Sequence, residues 1–115
     1  MDEFDNLKIR LRKFADDRDW EQFHSPKNLS MALIVEAAEL VEHFQWLTEE
    51  QSSSLKEKKL EEVEAELADI QLYLIRLADM LNVDLIAAAN KKIEKNNEKY
   101  PADKVRGSSK KYNEY

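Results

Sequence analysis

Residues 60–81 read LEEVEAELADIQLYLIRLADML, and their apolar side chains recur at alternating steps of three and four. This spacing places them on one side of an α-helix, as a heptad-like seam that packs against neighbouring helices. The seam consists of Leu60, Val63, Leu67, Ile70, Leu74, Leu77 and Leu81. A stripe beside it carries Glu62, Glu66, Asp69, Tyr73 and Arg76. The stretch therefore predicts a long helix around which the other elements are arranged.

Three further helices are predicted from helical spacing and from the residues at their ends. They cover residues 3–18, 26 to about 46, and 85–100, and Pro101 stops the last one. Their expected N-caps are Asp2, Ser25 and Asp84. Two capping boxes follow the second helix, Thr48 with Gln51 and Ser54 with Glu57, and the second box is expected to begin the long helix.

The fold class follows from these elements and from the scarcity of turn residues. One glycine and two prolines in 115 residues favour long helices over strands. We therefore predict an all-α fold, an antiparallel helical bundle of about four main helices that oligomerises through helix packing. Residues 1–101 are expected to form a single helical domain, and residues 102–115 a basic C-terminal tail.

Charge and composition exclude several functions. The net charge of −6 argues against a nucleic-acid polymer as partner, because such binding needs a basic surface. The absence of cysteine excludes disulfides and thiolate zinc sites. No apolar run approaches the roughly 18 residues of a membrane span, and the acidic N-terminus does not fit a signal peptide. We therefore expect a cytoplasmic protein with no membrane partner.

Two matched carboxylate pairs are the strongest candidates for chemistry, Glu36 with Glu39 and Glu66 with Asp69. Residues three apart on an α-helix leave the same face one turn apart. If the two helices pack antiparallel, the four groups converge on one spot. Clustered carboxylate oxygens are ligands for a hard cation such as Mg²⁺.

The alternative is that these pairs are ordinary solvated helix faces, as most are in a chain with 24 acidic residues. Glu36, however, interrupts an apolar stripe that includes Leu33 and Leu40. A carboxylate beside a packed seam is costly unless it is paired or bound to a metal. Spacing alone leaves both interpretations open.

Aromatic and polar residues outside these pairs are open to two interpretations as well. Trp20 and His24 lie in a short connection with Asn28, which suits either a lid on the core or a nucleobase pocket. Lys92 and Asn96 share a helix face and could address a phosphate and a base, or be solvated surface.

Four ordered motifs combine these residues along nearly the whole chain. They are RDWEQFHSPKNL at 18–29, the pair Glu36-x-x-Glu39 followed by Phe-Gln-Trp46, the pair Glu66-Leu-x-Asp69 followed by Tyr73, and Lys92-x-x-x-Asn96 before Tyr100-Pro101. This order closely resembles the all-α MazG-like nucleotide pyrophosphohydrolases, in particular the branch that contains the dCTP pyrophosphatases.

The resemblance implies an Mg²⁺-dependent hydrolysis of a nucleoside triphosphate, such as dCTP, to the monophosphate and pyrophosphate. It implies the metal ligands Glu36, Glu39, Glu66 and Asp69. It also implies substrate-binding roles for Trp20, His24, Asn28, Trp46, Tyr73, Lys92 and Asn96. Members of the family are homodimers or homotetramers built from two dimers. We take Glu39 as the general base, and the pKa values of such crowded carboxyl groups are expected to rise when no cation is bound.

One departure from the family pattern and two alternatives remain. The wider family often has a glutamate directly before the first ligand, where this chain has Val35. A second metal is therefore in doubt. The first alternative function is a helical interaction module with a structural cation. The second is a related pyrophosphohydrolase that acts on dUTP or phosphoribosyl-ATP.

Overall fold

The computed structural model describes residues 2–108, and within this range it contains helices and no strand. The helices are α1 (Glu3–Asp17), α2 (Pro26–Glu42), α3 (Glu49–Ser52), α4 (Glu57–Met80), α5 (Leu85–Lys99) and α6 (Ala102–Val105), with a 3₁₀ turn at Glu21–Phe23. The predicted all-α class is confirmed. No helix in the described part of the chain is long and apolar enough to cross a membrane.

The predicted helix starts are set by side-chain caps. Asp2 accepts from the Asp5 N–H at 2.8 Å, and Ser25 accepts from the Asn28 N–H at 3.1 Å. Each cap satisfies one of the amide groups that a helix leaves unpaired in its first turn. Asp84 caps α5 in the same way. These three predicted N-caps are therefore confirmed.

The start of the long helix is not where the sequence predicts it. The expected capping box of Ser54 with Glu57 is wrong, because α4 begins after Lys56 without a side-chain cap. The Ser54 N–H instead bonds the carbonyl of Gln51 at 3.2 Å and closes the turn after α3. The other predicted box, Thr48 with Gln51, is fully formed and begins α3. The second helix likewise ends at Glu42, and the chain continues as turns to residue 46.

The chain divides after Asn82 into two compact units. In the first unit α2 and α4 pack antiparallel, since His24 near the start of α2 contacts Arg76 near the end of α4, and His43 after α2 contacts Lys59 near the start of α4. Helix α1 packs on α4. The buried apolar side chains are Ala15, Leu29, Val63, Ile75 and Ala78.

The apolar seam of α4 is only partly covered within the chain. Val63 is buried, while Ile70 and Leu77 are half-buried. The alternate seam positions Leu60, Leu67, Leu74 and Leu81 are between 38 and 53% exposed. The polar stripe beside the seam, which carries Glu66 and Arg76, lies against α2 or its flanking loop instead. The packed face of α4 is therefore rotated toward its ionisable residues.

The second unit contains α5 and α6, and α6 lies in the stretch predicted as a basic tail. Residues 109–115 of that tail lie outside the described residues. The predicted division at residues 101 and 102 stays a prediction.

Candidate functional site

Three carboxylates meet between α2 and α4. Glu36, Glu39 and Glu66 each offer one oxygen, and these oxygens all lie within 4.8 Å of one another. The i,i+3 spacing brings the first two to one face of α2, and antiparallel packing brings the third from α4. We call these three residues the acidic triad.

The carboxyl groups of the triad are not fully hydrogen-bonded within the described residues. The Oε2 atoms of Glu36 and Glu66 are buried without a hydrogen-bond partner. A short contact with Glu66, burial and the neighbouring Glu39 together raise the pKa of Glu36 from its ordinary 4.5 to about 7. The rise expected for crowded carboxyl groups therefore occurs at Glu36, where like charges and burial disfavour ionisation.

The donor set fits a hard cation. A buried carboxylate oxygen without a partner is unfavourable unless a proton or a cation neutralises it. All three donors are carboxylate oxygens, which suit Mg²⁺, Ca²⁺ or Mn²⁺ and not a soft metal. The triad could therefore hold a metal ion. Asp69 is not part of this group of three, although its charge also raises the pKa of Glu36.

A cavity of about 520 Å³ lies between α1, α2 and α4 and reaches Asp69. Its mainly apolar wall includes Leu11, Phe14, Trp20, Leu29 and Leu72, from α1, α2, α4 and the loop after α1. Its polar side chains include His24, Asp69, Tyr73 and Arg76. Asp69 stands one turn from Glu66 on α4, so the cavity leads toward the acidic triad. We call this space the aromatic cavity.

Local hydrogen bonds fix the loop that carries the indole of Trp20. Asp19 adopts a left-handed backbone with φ of 54°, and its carbonyl accepts from the Gln22 amide at 2.9 Å. The backbone N–H of Trp20 donates to the carbonyl of Ala15 at 2.9 Å. The indole then meets Phe14 edge to face, with ring centroids 5.7 Å apart. The Trp20 ring in the cavity wall is therefore held by the backbone hydrogen bonds of its loop and by its contact with Phe14.

An ionic network includes two of the residues that line the aromatic cavity, His24 and Arg76. Arg76 is only 5% exposed, and its Nε donates to Nδ1 of His24 at 3.3 Å. Its terminal nitrogens lie 3.6 Å from Asp79 and 3.7 Å from Glu21. Asp79 in turn accepts from Arg12 at 2.6 and 2.7 Å. Arg12 lowers the pKa of Asp79, while burial and the charge of Arg76 lower the pKa of His24.

The structure brings together some of the site residues predicted from the sequence. Trp20, His24, Asp69 and Tyr73 line the aromatic cavity. Asn28 is not among the lining residues. Its amide donates to the carbonyl of Phe23 at 3.0 Å and so holds the loop.

The other predicted substrate residues are not among those that line the aromatic cavity. Trp46 is 87% exposed and does not line the cavity. Lys92 and Asn96 are exposed and one turn apart on α5, in the second unit.

The sequence analysis assigned no role to three features of the structure. They are Arg76, the α1 residues that line the cavity, and a cluster around Lys59. Arg76 was visible only as a charged residue in the stripe that also holds Tyr73, which was a usable signal. The contribution of α1 to the cavity had no signal, because its residues follow an ordinary amphipathic pattern. A cluster beyond the triad was also missed, in which Lys59 Nζ lies 3.1 Å from His43 Nδ1 and 3.6 Å from Glu62.

A comparison with known protein families identifies the family of this helical chain. Residues 31–115 match the MazG-like family, and the chain belongs to that family. The resemblance read from the sequence is therefore confirmed.

Particular relatives are similar over most of the chain. The human dCTP pyrophosphatase 1 is 44% identical over 106 residues, and the mouse protein of the same name is 43% identical over 102 residues. These matches take in 89 and 87% of this chain, which spans about 60% of the length of either relative. A crystal structure of a pyrophosphatase from Archaeoglobus fulgidus superposes with a TM-score of 0.83 at 39% identity, covering 88% of this chain and 94% of that one.

Proposed function

We propose that this protein is a nucleotide pyrophosphohydrolase that converts a nucleoside triphosphate, in particular a dNTP such as dCTP, to the monophosphate and pyrophosphate. The observation that carries the proposal is the acidic triad, with its two unpartnered buried oxygens, one helical turn from Asp69 in a cavity lined by aromatic rings. A cation site beside a flat apolar pocket suits a nucleotide, which has a polyanionic end and an aromatic end. The names of the relatives point to the same reaction.

The proposed cofactor is Mg²⁺, held by the acidic triad with Asp69 as a fourth ligand. The cation would neutralise the two buried oxygens that have no partner and, when bound, would supply charge neutralisation and Lewis-acid polarisation of the triphosphate. The crowding that raises the pKa of Glu36 supports this assignment, because a site built for a cation is strained without one.

The side chains of this protein then divide the remaining work. Trp20 and Tyr73 hold the base in the aromatic cavity, and His24 contacts its polar edge. Glu39 accepts the proton of the water that attacks the α-phosphorus; the new P–O bond forms as the bond to the β-phosphate oxygen breaks, and pyrophosphate leaves. Asn28, Trp46, Lys92 and Asn96 stay predicted substrate contacts on the basis of the sequence motifs.

The exposed apolar surface supports an assembly of two or four copies. Leu60, Leu67 and Leu74 of α4 are at least 38% exposed. On α2, Ile34 and Val35 are 65 and 54% exposed. Exposed apolar side chains repeated along two helices are typical of subunit interfaces. In the proposed dimer or tetramer, these exposed faces of α2 and α4 pack against another copy of the chain.

The same surface supports one alternative, a helical interaction module in which the triad holds only a structural cation. The two functions differ in their response to nucleotide. A substrate stabilises the native state of an enzyme, so Mg²⁺ with a nonhydrolysable dCTP analogue raises the melting temperature beyond the effect of Mg²⁺ alone. An interaction module responds to the cation only.

The test is product analysis with each common dNTP and NTP, with and without Mg²⁺. Wild type and Glu36→Ala are compared with Glu42→Ala, which removes an exposed carboxylate of α2 outside the triad. We expect monophosphate and pyrophosphate only with metal, in wild type and in Glu42→Ala. The substrate ranking separates dCTP from dUTP and from phosphoribosyl-ATP when that compound is included. Absence of turnover in the folded wild type would refute the enzyme assignment.

A further inference from the structure

The wall of the aromatic cavity contains a buried arginine, Arg76, whose burial requires a reason. A buried guanidinium is costly unless its charge and its N–H groups are matched. Asp79 and Glu21 balance the charge of Arg76, but at 3.6 and 3.7 Å they lie beyond hydrogen-bonding distance. Within residues 2–108, the one hydrogen bond that this guanidinium donates goes to His24.

That hydrogen bond determines which nitrogen of His24 carries the proton. The arginine Nε–H is only a donor, and arginine stays protonated in proteins, so Nδ1 of His24 must accept. A neutral imidazole then carries its proton on Nε2. Burial and the charge of Arg76 lower the pKa of His24, which keeps the ring neutral at physiological pH. His24 is thereby held as a donor at Nε2.

We propose that Arg76 is a positioning residue that fixes His24 as an Nε2–H donor toward the cavity, which selects a base with an acceptor at N3. The inference rests on the proposed function and adds to it the basis of base selection. Both side chains line the aromatic cavity. In a pyrimidine, cytosine has the adjacent acceptors O2 and N3, whereas uracil and thymine have an N3–H donor next to O2.

The Arg12 contact keeps Asp79 from competing with His24 for Arg76. Asp79 is the carboxylate nearest to Arg76, but both of its oxygens already accept from Arg12 at 2.6 and 2.7 Å. Asp79 therefore supplies charge to Arg76 at 3.6 Å without taking a short hydrogen bond from it. A base that cannot accept from Nε2–H of His24 leaves this donor unpaired, and that mismatch typically costs about tenfold or more in specificity.

The first test reads the tautomer of His24 directly. Long-range nitrogen–proton NMR correlations of the wild-type protein distinguish a protonated Nε2 from a protonated Nδ1, and a His43→Asn variant assigns the two histidines. We expect the proton of His24 on Nε2 in wild type, and a mixture of tautomers in Arg76→Met. A proton on Nδ1 in wild type, or an unchanged single tautomer in the folded Arg76→Met variant, would overturn the proposal.

The second test reads selectivity. The ratio of kcat/KM for dCTP over dUTP is expected to fall about tenfold or more in Arg76→Met, mainly through KM. Arg76→Lys serves if the methionine variant does not fold; it keeps the charge but loses the planar fork, so the ratio is expected to fall there too. Lys13→Gln is the control, because Lys13 forms an exposed ion pair with Asp17 on α1 and does not line the cavity.

The outcomes separate this inference from the proposed function. Wild-type protein that hydrolyses neither nucleotide contradicts the proposed function. Wild-type protein that hydrolyses dCTP, with a ratio unchanged by both Arg76 variants, contradicts the role of Arg76 alone. A ratio that falls equally in Lys13→Gln also contradicts it, because the effect then belongs to the fold and not to the contact between Arg76 and His24.

Discussion

Replacing Glu36 by glutamine turns the crowded carboxyl group of the triad into a neutral amide of the same shape. In the folded protein the pKa of Glu36 lies near 7, against its ordinary 4.5. Between these two pH values the folded state holds a proton that the unfolded chain has released. The contribution of Glu36 to stability is therefore fully present below pH 4.5 and is lost as the pH rises through 7.

The size of this effect follows from the shift. A rise of one pKa unit corresponds to about 1.4 kcal/mol, so the upper bound is about 3 kcal/mol. Glu36 is half-buried, and solvent screening reduces the figure to about 1–2 kcal/mol. In a domain of this size that corresponds to roughly 4–8 °C in melting temperature. Glu36→Gln resembles the protonated state at every pH. Its free energy of unfolding should therefore not fall in this way as the pH rises.

The assay is the difference in urea-unfolding free energy between wild type and Glu36→Gln, measured with EDTA at pH 5 and pH 8. We expect the wild type to lose about 1–2 kcal/mol more than the variant over this range. Added Mg²⁺ should restore the wild type at pH 8 more than at pH 5, since the cation competes with the proton. Parallel pH profiles of the two proteins would refute the electrostatic account of the triad.

Three further predictions concern the reaction, the base and the assembly. Glu39→Gln should keep the far-UV circular dichroism of the wild type but lose at least about a hundredfold in kcat, and near-normal turnover would rule out Glu39 as general base. Trp20→Ala should raise KM for dCTP about tenfold in steady-state kinetics, because the cavity loses the ring that faces the base; an unchanged KM would place the base elsewhere. Leu67→Glu should reduce the molar mass in light scattering toward that of one chain, whereas the control Glu64→Gln should leave the assembly intact, and an unaltered mass in both would exclude the exposed seam as interface.

Local sequence rules predicted the helix starts well. The caps at Asp2, Ser25 and Asp84 depend on bonds between residues three apart, so the sequence contains all the information they need. The i,i+3 pairs likewise ensured that Glu36 and Glu39 share a face of α2. Their meeting with Glu66 required in addition that α2 and α4 pack antiparallel, as they do in the structure.

What the sequence could not give was the rotation of α4 about its axis. Heptad spacing predicts that Leu67 and Val63 are equivalent, yet Val63 is buried and Leu67 is 53% exposed. The choice depends on the face of α2 and its flanking loop, against which Glu66 and Arg76 pack. The burial of Arg76 depends on Asp79, Glu21 and His24 together, and His24 and Glu21 are more than 50 residues away in the chain.

In the proposed reaction, water attacks the α-phosphorus of a nucleoside triphosphate at the acidic triad. Turnover of dCTP with Mg²⁺ in water enriched in oxygen-18, followed by mass spectrometry of both products, tests it most directly. The account predicts one labelled oxygen in dCMP and none in pyrophosphate, because the new P–O bond forms at the α-phosphorus. Label in pyrophosphate, or orthophosphate as the released product, would contradict it.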